Sequence, residues 1–450
     1  MPADARAGEP QYPFTGWNFV VITLDAAFFF AGLAFIDPLI VLPILVDKIA
    51  GSQVLVGLMS TIQRAGWIVP QLLATSFVLH HRRKKPFVMW PVVLSRIPFV
   101  VLAAAFSLPG AGDHVKALLL LLIGIYAVFF FGDGLVGVPW HDIIARTIPP
   151  KLRGRFFGSI NVFGGILIIG AGQIVKRVLA DPSLGFPQNY GRLFIFLCVC
   201  MGLSTFFLAL MKEPTGSALD ERQPFRRIVR LIPSTLRQYR PLLRVVIAQN
   251  IMGITGLALP FYALYAHKRL GVPEPYGGTF IQVGILGLMV ASILWAFLND
   301  RHGPLTVLRG VAFLGITVPI AALAVPPLVR ALGAPEHMPQ AYSLVFFLSS
   351  AAGSGMWMGI TNYVLEIAPD DIRPLFLGLS ATLSAPVVVM PLIGGVLLDL
   401  IAYEVLFAIV GVAALASAIY VSTLERPRTL EHHPGFAVTT PGVVPRPTCD

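Results

Sequence analysis

Charge is what this sequence has least of. Only 12% of its 450 residues are Asp, Glu, Lys or Arg, about half the fraction typical of a soluble domain. Hydrophobic residues make up 56%, and the mean hydropathy is +0.77. Cysteine is nearly absent, with three in the chain. Cys198 and Cys200 stand two apart in one apolar run, on different sides of a helix, and Cys449 is remote. Neither a disulfide framework nor a thiolate metal site is expected. The sequence holds no Walker A loop, which argues against ATP-driven chemistry. It also lacks HExxH, GxSxG and any Cys/His framework, so no catalytic residues, metal or cofactor are expected and the chain does not read as an enzyme. No basic segment followed by a short apolar core opens the chain, so no cleavable signal is expected.

What is present is length and apolarity in the right units. An α-helix needs about 20 apolar residues to cross a ~30 Å hydrocarbon core. Reading apolar runs against breakers gives twelve such spans: 17–46, 54–79, 87–108, 116–146, 155–180, 192–212, 242–266, 277–298, 305–329, 341–366, 374–399 and 404–423. The expected fold is an all-α integral membrane protein of twelve transmembrane helices.

Basic residues set the orientation. With the N-terminus in the cytoplasm, the loops on that side hold 23 Lys and Arg and the opposite loops hold eight. That bias predicts cytoplasmic N- and C-termini in a cell membrane. It also accounts for the net charge of +10 without nucleic acid. The organisation follows: an N-terminal segment (1–16), a six-helix bundle (17–212), a linker (213–241), a second six-helix bundle (242–423) and a disordered tail (424–450). The linker run QPFRRIVRLIPSTLRQYR reads equally as a solvated spacer or an interfacial helix on anionic headgroups, with Pro233 interrupting the pattern. His432 and His433 in the tail have no partner ligand at helical spacing.

A pair of short charged loops occurs twice. HHRRKKP (80–86) and PPKLRGRFFG (149–158) recur as NDRHGP (299–304) and PDDIRPLFLG (369–378). Pro86 aligns with Pro304 at an offset of 218, while Pro149, Arg153, Phe156 and Gly158 align with Pro369, Arg373, Phe376 and Gly378 at 220. The chain is therefore read as two copies of one six-span unit.

These loops resemble those of the major facilitator superfamily. NDRHGP is similar to that family's DRxG loop between spans 8 and 9, and LRGRFFG to its Arg-Gly junction into span 5. DPLIVLPILVDKIAGS followed by QVLVGLM resembles the exit of span 1 and entry of span 2, and PLIGGVLLDL the Gly-rich stretch of span 11. The first-half loop lacks the usual acid, and span 5 has Gly164, Gly165, Gly170 and Gly172 but no Gly-Pro pair, so the antiporter signature is not met. The resemblance implies two pseudo-twofold-related bundles around a central cavity lined by spans 1, 4, 7 and 10.

Ionisable residues within spans are costly, about 2.5–3.5 kcal/mol at mid-span, and so are functional candidates. Asp25 (span 1), Arg64 (span 2), Arg96 (span 3) and Asp133 (span 4) fall at comparable depth. They suggest two neutralising pairs, Asp25 with Arg64 and Arg96 with Asp133, read either as helix staples or as coupling groups. Asp37, about 18 Å beyond Asp25 and turned by about 120°, shares no site with it. Tyr126, Asp133, Gly137 and Trp140 recur on one face of span 4, an arrangement suited to a cationic or amphipathic solute. The second half offers uncharged candidates: Gln249, Asn250 and Tyr262 in span 7, Gln282 in span 8, and Ser350, Trp357 and Asn362 in span 10. Helix-end charges suited to a breakable inner gate are Asp142, Arg153, Asp300, Arg301, Glu366 and Arg373.

The expected activity is secondary active transport of a small organic solute by alternating access, coupled to protons, with export first. Proton-coupled uptake of a polar metabolite is the alternative, and a non-transporting sensor or assembly protein on the same scaffold a third. The expected partners are lipid, solute and protons, with the protein acting as a monomer.

Overall fold

The computed structural model describes residues 12, 14–78, 81, 83–214, 236, 239–368 and 373–426, without the side chains of 72–78 and 373–375. The linker reading, the tail histidines and the Arg373 side chain therefore lie outside the described residues. Within them the secondary structure is helical, with no strand.

Among the described residues eleven helical stretches are long and apolar enough to cross a membrane. The twelfth is span 2, Gln53–Val78, a 26-residue helix whose apolarity is diluted by Ser60, Thr61, Gln63, Arg64 and Gln71. Spans 4 (Val115–Thr147), 5 (Pro150–Ala180), 8 (Tyr276–His302), 9 (Pro304–Ala331) and 10 (Met338–Ile367) are single long helices. At 1.5 Å per residue, the 33 residues of span 4 extend about 50 Å, beyond the hydrocarbon on either side. Spans 6 (Gln188–Ala209) and 12 (Tyr403–Ser422) are shorter.

Four spans that read as continuous in the apolar pattern are broken. Span 1 runs Thr15–Ala34, turns through Asp37–Pro38 and resumes as Val41–Ala50. Span 7 runs Arg240–Gly253, tightens to a 3₁₀ turn at Ile254–Leu257 and resumes as Phe261–Lys268. At the repeat offset of 220, Asp37 corresponds to Leu257, so both halves break the same helix at the same place. Span 3 breaks between Lys85–Arg96 and Pro98–Ser107, where Pro98 cannot donate a helical hydrogen bond. Span 11 breaks between Arg373–Leu383 and Met390–Leu398. Tight reversals use glycine with positive φ where a side chain would be strained: Gly51 (φ 63) joins spans 1 and 2, and Gly303 (φ 82) joins spans 8 and 9.

Packing follows the repeat. Span 2 lies against 4, and span 8 against 10; span 3 lies against 6, and span 9 against 12. Between the halves, span 5 meets 8 and span 2 meets 11. Shifting each number by six exchanges these two seams, as a pseudo-twofold axis between two six-helix bundles requires.

Candidate functional site

The two halves touch at one end. An apolar cluster runs continuously from the first half into the second, joining Ile40, Val41 and Val46 with Leu257, Phe261 and Phe407. At the face that carries the basic loops there are instead two separate clusters. One is made only of first-half residues such as Val21, Val92 and Phe156. The other is made only of second-half residues such as Leu242, Leu308 and Phe376. Among the described residues the halves are thus joined at the face opposite the basic loops and parted at the basic face.

Two kinds of contact make the seal. Helix backbones meet without side chains between them: a Cβ on Gly57 would stand 2.2 Å from the Pro391 carbonyl oxygen, and one on Gly395 would stand 2.4 Å from that of Gln53. Ion pairs then cross in reciprocal fashion, Lys48 with Glu274 at 2.6 Å and Lys268 with Asp47 at 2.6 Å. Tyr190 donates to Glu274 (3.1 Å), and Gln282 donates to the Ile169 carbonyl (3.0 Å). At the parted end, Cβ atoms on the repeat-related Gly158 and Gly378 would meet nothing within 4 Å. Partly exposed ion pairs contribute up to about 1 kcal/mol each. Replacing both Lys48 and Lys268 by alanine is therefore expected to raise the population open at this face by roughly 3- to 30-fold. Spin-label distances across the seam, between Ala50 and Ala402, would report it; an unchanged distribution would remove the ion pairs from the gate.

Just behind the seal lies a cavity of about 320 Å³ lined by both halves. Span 1 supplies Phe30 and Asp37, span 2 Gln63, Arg64 and Trp67, span 7 Tyr262, span 8 Ile281 and Gly284, and span 10 Phe346, Ser349 and Ser350. Trp357 follows Phe346 and Ser350 on the same helix face, eleven and seven residues on. It is 80% exposed, opposite Gly355 and Gly359, which pack on Trp295, Val311 and Leu308. Trp357 thus stands in the parted region below the cavity.

The remaining span charges form a cluster inside the first half. Asp25, buried, accepts a hydrogen bond from Ser204 Oγ (2.5 Å), and Arg96 Nη1 donates to the same hydroxyl (3.0 Å), to Thr205 Oγ1 (2.7 Å) and to the Met201 carbonyl (3.3 Å). The guanidinium also lies 5.4 Å from the Phe29 ring centroid. Arg96 is the electrostatic neighbour of both Asp25 and Asp133, and Trp140 reaches the Asp25 carboxylate. Asp133 accepts from the Trp67 indole N–H at 2.9 Å. The expected pair of Asp25 with Arg64 is therefore corrected: Asp25 is linked through Ser204 to Arg96, which also neighbours Asp133, and Arg64 belongs to neither acid. Depth along a helix had grouped the four residues, but their azimuths separate Arg64 into the cavity. Asp133 is held by Trp67 and is not among the residues lining that cavity, so the span 4 stripe presents no acid to a solute there.

Other candidates fall into helix-to-helix bonds. Gln249 accepts from Ser380 (2.9 Å), and Asn250 donates to the Leu383 carbonyl (3.1 Å), both tying span 7 to span 11. Asp142 pairs with Arg146 at 2.6 Å within span 4. Arg153 donates to the Ile148 and Ala145 carbonyls at 3.2 and 3.0 Å, closing the end of span 4. Asn362, the repeat partner of Asp142, donates to Asn299 (3.1 Å). In the first-half loop Lys84, which aligns with His302, is buried beside Asp142 and Glu213; burial holds its ammonium below the ordinary lysine range, with Asp142 opposing. The Lys84 and Lys85 amides both donate to the Glu213 carboxylate, fixing the start of span 3 to the end of span 6. Asp300, Arg301 and Glu366 are exposed at the ends of spans 8 and 10, with Arg301 5.9 Å from the Phe297 ring centroid. Sequence reasoning missed Asp37 as a cavity residue. Its signal was the Asp-Pro step, which marks a helix break.

Two pseudo-twofold bundles closed at one end over a shared cavity define a membrane transporter scaffold. The chain belongs to the Major Facilitator Superfamily, whose model matches residues 24–335. No curated protein matches it in sequence. Among solved structures it is similar to the nucleoside transporter NupG, with a TM-score of 0.64 at 12% identity over 90% of this chain and 98% of that one. A D-xylose-proton symporter gives 0.64 at 15% identity, covering 93% and 99%. A bacterial homologue of the iron transporter ferroportin in its inward-facing state gives 0.64 at 12% identity, covering 90% and 98%. These likenesses establish the fold.

Proposed function

We propose that the chain is a monomeric secondary active transporter of the cell membrane, exporting a small organic solute in exchange for protons by alternating access. With the basic loops in the cytoplasm, the parted face opens inward and the cavity between the halves loads from the cytoplasm. The first half carries the bundle 17–212 and the second 242–423, with the linker between them on the cytoplasmic side.

One observation supports proton coupling most directly. The buried cluster holds two carboxylates and one guanidinium, so with both acids ionised one negative charge lacks a counter-ion in a medium where charge is costly. A single proton cancels it. Trp67 connects this cluster to solute, because its ring lines the cavity while its N–H binds Asp133. Movement of that ring on solute binding changes what stabilises the ionised Asp133, which is the differential interaction that coupling requires.

The test needs no knowledge of the cargo. Spin labels at Ala50 and Ala402 in a cysteine-free background should report a pH-dependent shift between closed and open seams in the wild type. Asp25→Asn and Asp133→Asn should each flatten that response. Trp67→Phe keeps the cavity ring but removes the donor, and should shrink the pH response while leaving the cavity intact. If both asparagine variants respond to pH as the wild type does, the carboxylates only staple helices.

A further inference from the structure

Resting on the transporter reading, the cavity's own charges point to its cargo. Arg64 has no carboxylate, carbonyl or hydroxyl partner among the described residues. Its guanidinium crosses from span 2 toward the broken segment of span 7, where a Cβ on Gly256 would stand 3.0 Å from Nη1. Asp37 accepts one bond from the Leu39 amide (2.9 Å), also faces the Ile40 amide, and has no cationic neighbour among the described residues. Both residues line the same cavity, yet they are not paired with each other. An unpaired charge at this depth is expensive unless something that visits the cavity completes it. Phe30, Trp67, Tyr262 and Phe346 line the same cavity.

We propose that the cavity binds a zwitterionic organic solute of amino-acid to short-peptide size, its anionic group on Arg64, its cationic group at Asp37 and its apolar body among the aromatic rings. A guanidinium takes a carboxylate by two parallel hydrogen bonds, and the position of Arg64 against the second half lets the bound anion touch both bundles. The two broken helices place irregular backbone at the same cavity, as solute sites between repeats in transporters do.

The experiment is binding to the full-length protein, read by thermal stabilisation and by competition, with phenylalanine, leucine and phenylalanyl-alanine as zwitterions. Phenylalaninamide lacks the anion and N-acetylphenylalanine lacks the cation. Phenylalanine should bind the wild type, and both analogues should bind about 10- to 100-fold more weakly. Arg64→Gln should weaken phenylalanine by a similar factor but leave phenylalaninamide unchanged. Asp37→Asn should do the same for phenylalanine but leave N-acetylphenylalanine unchanged. Neither substitution removes a bond made by Arg64, and asparagine keeps the acceptor for Leu39, so the solute-free variants should melt at or above the wild-type temperature. Binding of either analogue as tightly as the zwitterions, or no binding of any zwitterion, overturns the assignment. A retained pH-driven seam movement in that case leaves the transporter reading standing; its loss would overturn that reading separately.

Discussion

Gly57→Val is expected to cut transport to below a tenth of the wild-type rate while leaving both bundles folded. The reason is geometric. In the sealed state a Cβ at position 57 would lie 2.2 Å from the Pro391 carbonyl oxygen, with the Leu392 Cα at 2.9 Å. Those are backbone atoms of a helix and cannot rotate aside as a flexible side chain can. Gly395 meets the Gln53 carbonyl in the same way from the other side, so the seam depends on both positions. Any side chain there holds spans 2 and 11 apart, and the cavity cannot close to the outside. Within each half the substitution removes no packing atoms. The expected result is a variant with near-wild-type thermal stability whose Ala50–Ala402 distance is fixed at its long value. Gly158→Val is the control, because its new methyl groups meet open space in this state and should leave the sealed distance attainable. A Gly57→Val protein that still transports and still shows the short distance would mean that closure here does not require close helix contact.

How far the sequence carried this picture depends on which physical quantity each residue reports. Apolar length located the spans, because hydrocarbon thickness acts on every one of them alike. The recurrence of PPKLRGRFFG as PDDIRPLFLG revealed the two units, and the exchange of the 2–11 and 5–8 seams is its structural expression. Depth was also legible: Asp25 and Arg96 share the Ser204 hydroxyl, and Asp133 is an electrostatic neighbour of Arg96. Azimuth was not. Gln249 and Asn250 are polar residues in an apolar span, a pattern equally produced by a cavity wall and by a bond to a neighbouring helix, and both make the latter with span 11. Helix breaks were hidden for a related reason. AFIDPLIVLP is apolar enough to pass as continuous helix by hydropathy, although Asp-Pro disfavours helix at the residue before proline. Giving that step more weight would have placed Asp37 at mid-cavity.

The same cluster that supports proton coupling also makes the strongest stability prediction. Arg96→Ala is expected to destabilise the protein by about 3–5 kcal/mol, the usual consequence of leaving a buried charge without its partner. Melting should fall by an amount on the order of 5–10 °C. Three hydrogen bonds to span 6 disappear with the guanidinium, and two acids are left with no cation between them. Arg96→Lys keeps the charge but not the geometry that reaches Ser204, Thr205 and Met201 together, and should fall between the two. A packing role and an electrostatic role then separate by the sign of their coupling. If Arg96 serves mainly to neutralise, Asp25→Asn added to Arg96→Ala removes one of the orphaned charges, and the double variant should melt higher than Arg96→Ala alone. Acidification should rescue Arg96→Ala for the same reason. If Arg96 only fills space between spans 3 and 6, the two losses should add and pH should not matter. Non-additive recovery would identify the cluster as a charge balance open to a proton, which is the property alternating access needs from it.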